Sequence, residues 1–303
     1  MRILVTGASG LLGLNFCLSL TDSQQIIGVS HSNALKDVPF QTVQSNLLSA
    51  GSITRLISDY RPQLLVHCAA MANVDACEKH PDEAMRINAE VPGELAAICR
   101  DNNIKLVHIS TDAVFDGLRG DYSEEDETNP LSVYALSKLA GEQSVLRNFP
   151  QALIARVNFY GFSLSGSRSL AEFFLECLST GQLVNGFVDV MFCPLYVRDL
   201  VEVLMQMVEK DLSGIYHVVS PESLSKYSFG ISIARKFGFD HGLIQPISVM
   251  ESGLTAKRSP RLDLNVEKLI GEKIDLPGQA QGMERFYQDH QAGLADKIKK
   301  MAA

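Results

Sequence analysis

The opening residues Arg2-Ile3-Leu4-Val5-Thr6 run directly into Gly7-Ala8-Ser9-Gly10-Leu11-Leu12-Gly13, and an apolar helical pattern follows as far as Leu20. A strand, a turn with glycines three residues apart, and a helix together are the signature of a dinucleotide-binding unit. The glycines permit a tight turn, close approach of backbone to a pyrophosphate and packing of helix on strand. The helix N-terminus adds amide donors and the positive end of its dipole. Gly7, Ser9, Gly10, Leu11, Leu12 and Gly13 are therefore candidate cofactor contacts.

Further apolar runs at Gln25 to Ser30, Leu64 to Cys68, Lys105 to Ile109 and Ala152 to Val157 alternate with helical patterns. Nearly continuous hydrophobic strands separated by helices predict a doubly wound parallel sheet of the α/β Rossmann type, covered on both faces. Ligands of such a sheet gather outside the carboxyl ends of its strands. At 303 residues the chain exceeds what one core usually supports, so a smaller α+β substrate lobe is expected beside the sheet. The dinucleotide-binding domain is assigned to 1–160, with 191–219 returning to it. The substrate lobe takes 161–190 and 220–278, and 279–303 forms a C-terminal helix whose end, from Ala292 on, is expected to fray.

A net charge of -8 without a basic run argues against nucleic acid or an anionic membrane as partner. Strand-like residues start at Arg2, and no apolar stretch reaches the roughly 20 residues of a membrane span. The expectation is a cytoplasmic protein. The six cysteines are scattered without a Cys-x-x-Cys pair, which points to unpaired core thiols and to no metal site.

After the second strand, where a carboxylate often holds the ribose 2′-hydroxyl, the chain reads Gly28-Val29-Ser30-His31-Ser32. A 2′-phosphate would meet no acid there. It can bond to Ser30 and Ser32 and pair with His31 or Lys36, so NADP is preferred, with NAD possible, although an exposed loop is an equal reading.

Tyr134-Ala135-Leu136-Ser137-Lys138 places a phenol and an ammonium on one helix face. A phenol of pKa about 10 is a weak acid at neutral pH, and a nearby ammonium lowers that value by favouring the phenolate. Tyr134 then protonates a carbonyl oxygen as hydride reaches its carbon. Upstream, the strand ending near Ser110 presents Thr111 at the cleft, where its hydroxyl can share the developing charge. For Thr111 and Asp112 a plain turn is the competing reading. Asp121 to Glu127 reads as a solvated acidic loop.

These residues resemble the extended short-chain dehydrogenase/reductase family over nearly the whole chain, and Ser110-Thr111-Asp112-Ala113-Val114-Phe115-Asp116-Gly117 is similar to the signature of its dTDP-4-dehydrorhamnose reductases. Asn73-Val74-Asp75, Ile87-Asn88-Ala89, Pro194-Leu195-Tyr196, Asp199-Leu200 and Gly214-Ile215-Tyr216-His217 agree with it. The resemblance implies that Thr111 stabilises the carbonyl oxygen, that Tyr134 donates the proton and that Lys138 binds the cofactor ribose and tunes Tyr134. It puts Asn88 in a proton-relay water, Asn46 and Leu47 near adenine, and Ala69, Ala70 and Met71 along the nicotinamide. Thr111, Asp112 and Phe159 would face a nucleotide-linked sugar, the expected partner. Three positions depart from the pattern: Asn46 stands for Asp, Phe159 for Trp and Ala113 for Tyr, the last two bearing on which sugar is bound.

Arg156, Arg258 and Arg261 are candidate ligands for substrate phosphates, with structural salt bridges as the equal alternative. An epimerase or dehydratase using the same triad is a related reading. The chain also resembles the regulatory beta subunit of methionine adenosyltransferase, which implies cofactor binding without turnover and a synthetase partner. A homodimer is left open as the assembly.

Overall fold

The computed structural model describes residues 1–251 and 259–303. Of the stretch around Gly253 to Leu264, expected to build the substrate side, residues 253–258, Arg258 among them, therefore lie outside the described residues. The first half lays down β1 (Arg2–Thr6), β2 (Gln25–Ser30), β3 (Gln41–Gln44), β4 (Leu64–His67), β5 (Lys105–Thr111) and β6 (Leu153–Val157). Between them run α1 (Leu11–Leu20), α2 (Ser52–Tyr60), α3 (Val74–Lys79), α4 (Pro81–Met85), α5 (Val91–Asp101) and α6 (Val133–Asn148), with a π-helical turn at Arg86–Glu90 joining α4 to α5.

The second half adds β7 (Phe159–Tyr160), α7 (Leu170–Ser179), β8 (Val184–Phe187), β9 (Met191–Phe192), β10 (Leu195–Tyr196) and α8 (Val197–Glu209). β11 (Gly214–Val218) then pairs in parallel with β6 and completes a seven-stranded sheet in the order β11-β6-β5-β4-β1-β2-β3. Every neighbouring pair in it is parallel. The strand order reverses between β1 and β4, and a crevice opens at such a switch point. This is the doubly wound Rossmann architecture.

Why the strands read as unbroken apolar runs is visible in β1. Ile3 and Val5 enter one core with Leu14 and Phe16 of α1, while Leu4 enters the other with Ile53 of α2 and Leu95 of α5. Only β3 departs from that pattern. Its residues Gln-Thr-Val-Gln are mostly exposed at the sheet edge, so no apolar run marked it in the sequence.

The smaller lobe is completed by β12 (Leu224–Ser225), α9 (Lys226–Phe237), β13 (Ile244–Ile247), β14 (Arg261–Leu262) and α10 (Glu267–Gly271). β13 lies parallel to β8, and β9 stands between β12 and β14. The chain closes with α11 (Gln279–Gln291) and α12 (Leu294–Lys299), separated at Gly293 by a left-handed φ of 76°. The expected single, fraying helix is thus corrected to two. Ile298 and Met301 are buried, and the Ala303 N–H donates to Ala34 O (3.3 Å) while the Lys36 N–H donates to Met301 O (3.0 Å). Apolar burial and backbone pairing hold an end whose Lys/Ala composition suggested mobility. The acidic run is also pinned: Tyr122 is buried, and Glu124 accepts the His217 N–H of β11 at 2.8 Å.

All six cysteines are unpaired, four of them buried and Cys68 and Cys177 half-buried. Among the described residues no helix is long and apolar enough to cross a membrane.

Candidate active site

The glycine turn forms as its sequence requires. Gly7 has φ +69°, and a Cβ on it would lie 2.7 Å from Ala69 N of the loop after β4. A Cβ on Gly13 would drive into Gly7 O, so α1 can settle against the turn only without one. The Gly10 N–H donates to Gly7 O (2.8 Å), and no side chain caps α1. The amides of its first turn are left facing the crevice, where an anion can take them.

An open cleft of about 370 Å³ begins there, lined by Gly7, Ser9, Gly10, Ser30, His31, Ser32, Asn46, Leu47, Ala69, Ala70 and Met71. That size suits a small-molecule ligand. Asn46 uses Oδ1 to accept the Leu48 N–H (3.0 Å) and so shapes its own turn. A larger groove, about 1010 Å³, lies at the amino ends of the strands among Gln63, Lys105 and Gln151. Ligands of open α/β sheets bind at the opposite edge, so the smaller cleft carries the functional argument.

Thr111, Tyr134 and Lys138 are not among the residues lining this cleft, but Lys138 acts electrostatically on His67 and Cys68, which are. β5 ends at Thr111, whose hydroxyl donates to Asp112 Oδ1 (3.0 Å) and accepts the Ala113 N–H (3.2 Å). Ser132 caps α6 by accepting the Ala135 N–H (3.2 Å), which sets Tyr134 in the first turn and Lys138 one turn on, on the same face. Burial pushes the Tyr134 phenol up to about 12, a hydrogen bond between it and Thr111 opposes the shift, and the Asp112 carboxylate adds to it. Burial likewise raises Asp112, against hydrogen bonds from Asn158 and Thr111 and the charge of Lys226.

Burial brings Lys138 down to about 8, with Glu142 the largest influence in the other direction. Its ammonium donates to Ile109 O at 2.6 Å. The expected lowering of Tyr134 by Lys138 is not seen: a backbone carbonyl holds the ammonium, and burial dominates the phenol. His67 and His108 stack beside it with ring centroids 5.4 Å apart. Burial holds His67 at about 3 and His108 well below its ordinary value, so both are neutral at pH 7.

Asn88 lies in the π-helical turn, a feature frequent at functional sites. Its amide donates to Met71 O (3.0 Å) and to Ser137 Oγ (2.9 Å), and its Oδ1 accepts the Met71 N–H (2.8 Å). Rather than standing free for a water, it ties the Ala69 to Met71 loop to α6.

The RmlD substrate binding domain family matches residues 1–292 of this chain. The chain belongs to that family. It is 33% identical over 278 residues to the probable low-salt glycan biosynthesis reductase Agl14 of Haloferax volcanii, covering 90% of this chain and 92% of that one. It is 31% identical to methionine adenosyltransferase 2 subunit beta of Xenopus tropicalis, covering 89% and 82%. The crystal structure of dTDP-4-dehydrorhamnose reductase from Bacillus anthracis in complex with NADP superposes with a TM-score of 0.82 at 26% identity, covering 95% of this chain and 99% of that one.

Not every candidate in this RmlD-family chain reaches the cleft. Arg156 is buried on β6, with Nε 3.0 Å and Nη2 2.8 Å from the Glu142 carboxylate, so it is removed from the phosphate ligands. Arg261 pairs with Asp263 at 3.2 Å. Phe159 is half-buried directly after Asn158, whose amide donates to Asp112. Asn158, Lys226 and Arg168 belong to the site surroundings and were missed, because they come from elements far along the chain with no motif of their own.

Proposed function

We infer that this RmlD-family protein is an NAD(P)H-dependent reductase of a keto group on a nucleotide-linked deoxysugar, of the dTDP-4-dehydrorhamnose reductase type. The observation carrying this reading is that Thr111 bonds to Tyr134, with Lys138 one helical turn on, while Lys138 acts electrostatically on His67 and Cys68 in the wall of a cleft that also contains the glycine turn. The uncapped α1 N-terminus and the Gly7–Gly13 contact fit a dinucleotide, and Ser30, His31 and Ser32, which line the same cleft, are the proposed ligands of the adenosine ribose, with NADP preferred. When bound, the dihydronicotinamide supplies hydride to a carbonyl carbon.

The chain's own part is to move a proton and hold charge. Tyr134 Oη donates to the carbonyl oxygen and becomes phenolate. Thr111 shares the charge on that oxygen as it develops, and Lys138, turned from Ile109 O toward the ribose, favours the phenolate left behind. Asn88 keeps the nicotinamide-side loop in register with α6. Asp112, Phe159 and Arg258 remain the proposed substrate contacts. The likeness to the methionine adenosyltransferase beta subunits favours a second reading, in which dinucleotide is bound without turnover.

Purified protein given NADPH and a panel of nucleotide-4-keto-deoxysugars is expected to consume NADPH and form an equivalent amount of alcohol. Tight NADPH binding with no loss of nicotinamide absorbance on any of them would overturn the reductase reading. Turnover of such sugars without net absorbance change would assign an epimerase or dehydratase instead.

A pH dependence follows from Lys138. Its value near 8 in the free protein means that binding, which recruits the ammonium to a ribose hydroxyl, takes up a proton above that pH. NADPH affinity should be level below pH 8 and decline as pH rises past it. Isothermal titration across this range checks the point, and an affinity still level at about pH 10 would take Lys138 out of the cofactor site. The same lowering makes the unfolded chain the better proton binder between about 8 and the ordinary lysine value, so this group costs stability below pH 8, and the cost fades above it.

A further inference from the structure

Among the described residues the cleft is lined by one Lys or Arg, and it does not come from the dinucleotide unit. That residue is Arg168, from the Ser/Gly-rich loop between β7 and α7, and Glu83 is the one carboxylate in the lining. The Arg168 guanidinium is exposed and forms no hydrogen bond or ion pair with another described residue. Its backbone, by contrast, is held firmly. The buried Glu172 carboxylate accepts the N–H groups of Ser163 (2.6 Å), Arg168 (2.9 Å) and Ser169 (3.1 Å), as well as the Ser163 hydroxyl.

This loop is also braced against α1. The Ser169 hydroxyl donates to Gly161 O (2.7 Å), and a Cβ on Gly161 would lie 3.7 Å from the Leu11 side chain at the first position of α1. One turn along, Asn15 donates its amide to Phe162 O (2.9 Å). On the outer side the Lys299 side chain from α12 lies over Gly166. A preordered loop thus carries an unpaired guanidinium to the rim of a cleft that begins at an uncapped helix N-terminus.

We propose that Arg168 binds the pyrophosphate of the dinucleotide from the second lobe, opposite the glycine turn, so that cofactor binding bridges the two lobes. This rests on the dinucleotide-binding reading above. A pyrophosphate carries two charges at pH 7, and the α1 dipole offers only about half a unit of positive charge. A planar guanidinium suits bidentate pairing with phosphate oxygens, and a loop already ordered by Glu172 loses little entropy in making it. The contacts to Gly161 and Leu11 put the residue at the pyrophosphate end rather than the adenosine end.

Binding of NADPH and of NADH, followed by nicotinamide fluorescence, tests the assignment on the full-length protein. Arg168→Met should weaken both by a similar factor, on the order of tenfold or more, and Arg168→Lys should recover part of the loss. The melting temperature of both variants without cofactor should match the parent's, since the guanidinium has no partner among the described residues to lose. Unchanged affinity for both cofactors in Arg168→Met would overturn the proposal. So would a loss confined to NADPH, which would put the guanidinium on the 2′-phosphate. A parent protein that binds neither cofactor would instead bring down the dinucleotide reading itself.

Discussion

Tyr134→Phe should remove turnover by roughly 100- to 10,000-fold while leaving NADPH affinity almost unchanged, because only the transferable proton is lost. The ring keeps its place at the start of α6, which Ser132 caps independently of the hydroxyl. The phenol is well suited to keep its proton until substrate arrives: burial holds it near 12 in the free site. Phenolate therefore forms only when the proton has moved to substrate, with Thr111 and Lys138 on hand to receive the charge. Single-turnover kinetics at a substrate-saturating concentration separates this from a binding defect. A variant with near-parental rate would mean that another donor delivers the proton, Asp112 being a titratable group whose charge acts on the phenol. Thr111→Val is the companion variant in this series, with a smaller loss, since one hydroxyl donor to a developing oxyanion is removed while the proton source stays.

Arg156→Met should cost on the order of 3–5 kcal/mol of stability, because it leaves the Glu142 carboxylate buried without its ion partner. Both side chains are nearly inaccessible, 3% and 2% exposed, and the pair is tightly knit. Ser110 donates its hydroxyl to Glu142 Oε1 (2.5 Å), and the guanidinium lies 5.1 Å over the Phe115 ring. Burial and the neighbouring guanidinium hold His217 at about 3, so His217 brings no further positive charge beside Glu142. Urea denaturation measures the loss. The double variant Arg156→Met with Glu142→Leu should regain much of it, since a buried pair replaced on both sides by apolar groups often breaks even. If Arg156→Met instead kept full stability and raised only the substrate KM, Arg156 would be a phosphate ligand after all.

How far residue order alone reaches is clear from the individual elements. β1, β2, β4, β5 and β6 were legible because a strand covered on both faces must be apolar along its length, and that leaves an unmistakable run. β3 was not legible, because an edge strand is solvated and carries no such constraint. The glycine turn was legible because its backbone excludes a Cβ at Gly7 and Gly13 whatever surrounds it. Tyr134 and Lys138 were legible as a pair because helical spacing places them on one face.

The roles of charged residues were another matter. Arg156 and Arg168 are both arginines near serine-rich or strand segments, and nothing local separates them. One is sealed by Glu142 behind the sheet, the other left unpaired at the cleft rim. Asn88 likewise reads as a free polar group until Met71 and Ser137 are seen to take up its amide. The order of residues alone determined the parallel sheet, the glycine turn and the helix face with its phenol and ammonium, since periodicity and steric exclusion are properties of neighbours in the chain. Which cation is buried and which lines the cleft, and how strongly the phenol holds its proton, only the tertiary structure decided, because charge is governed by burial and by partners brought from distant parts of the chain.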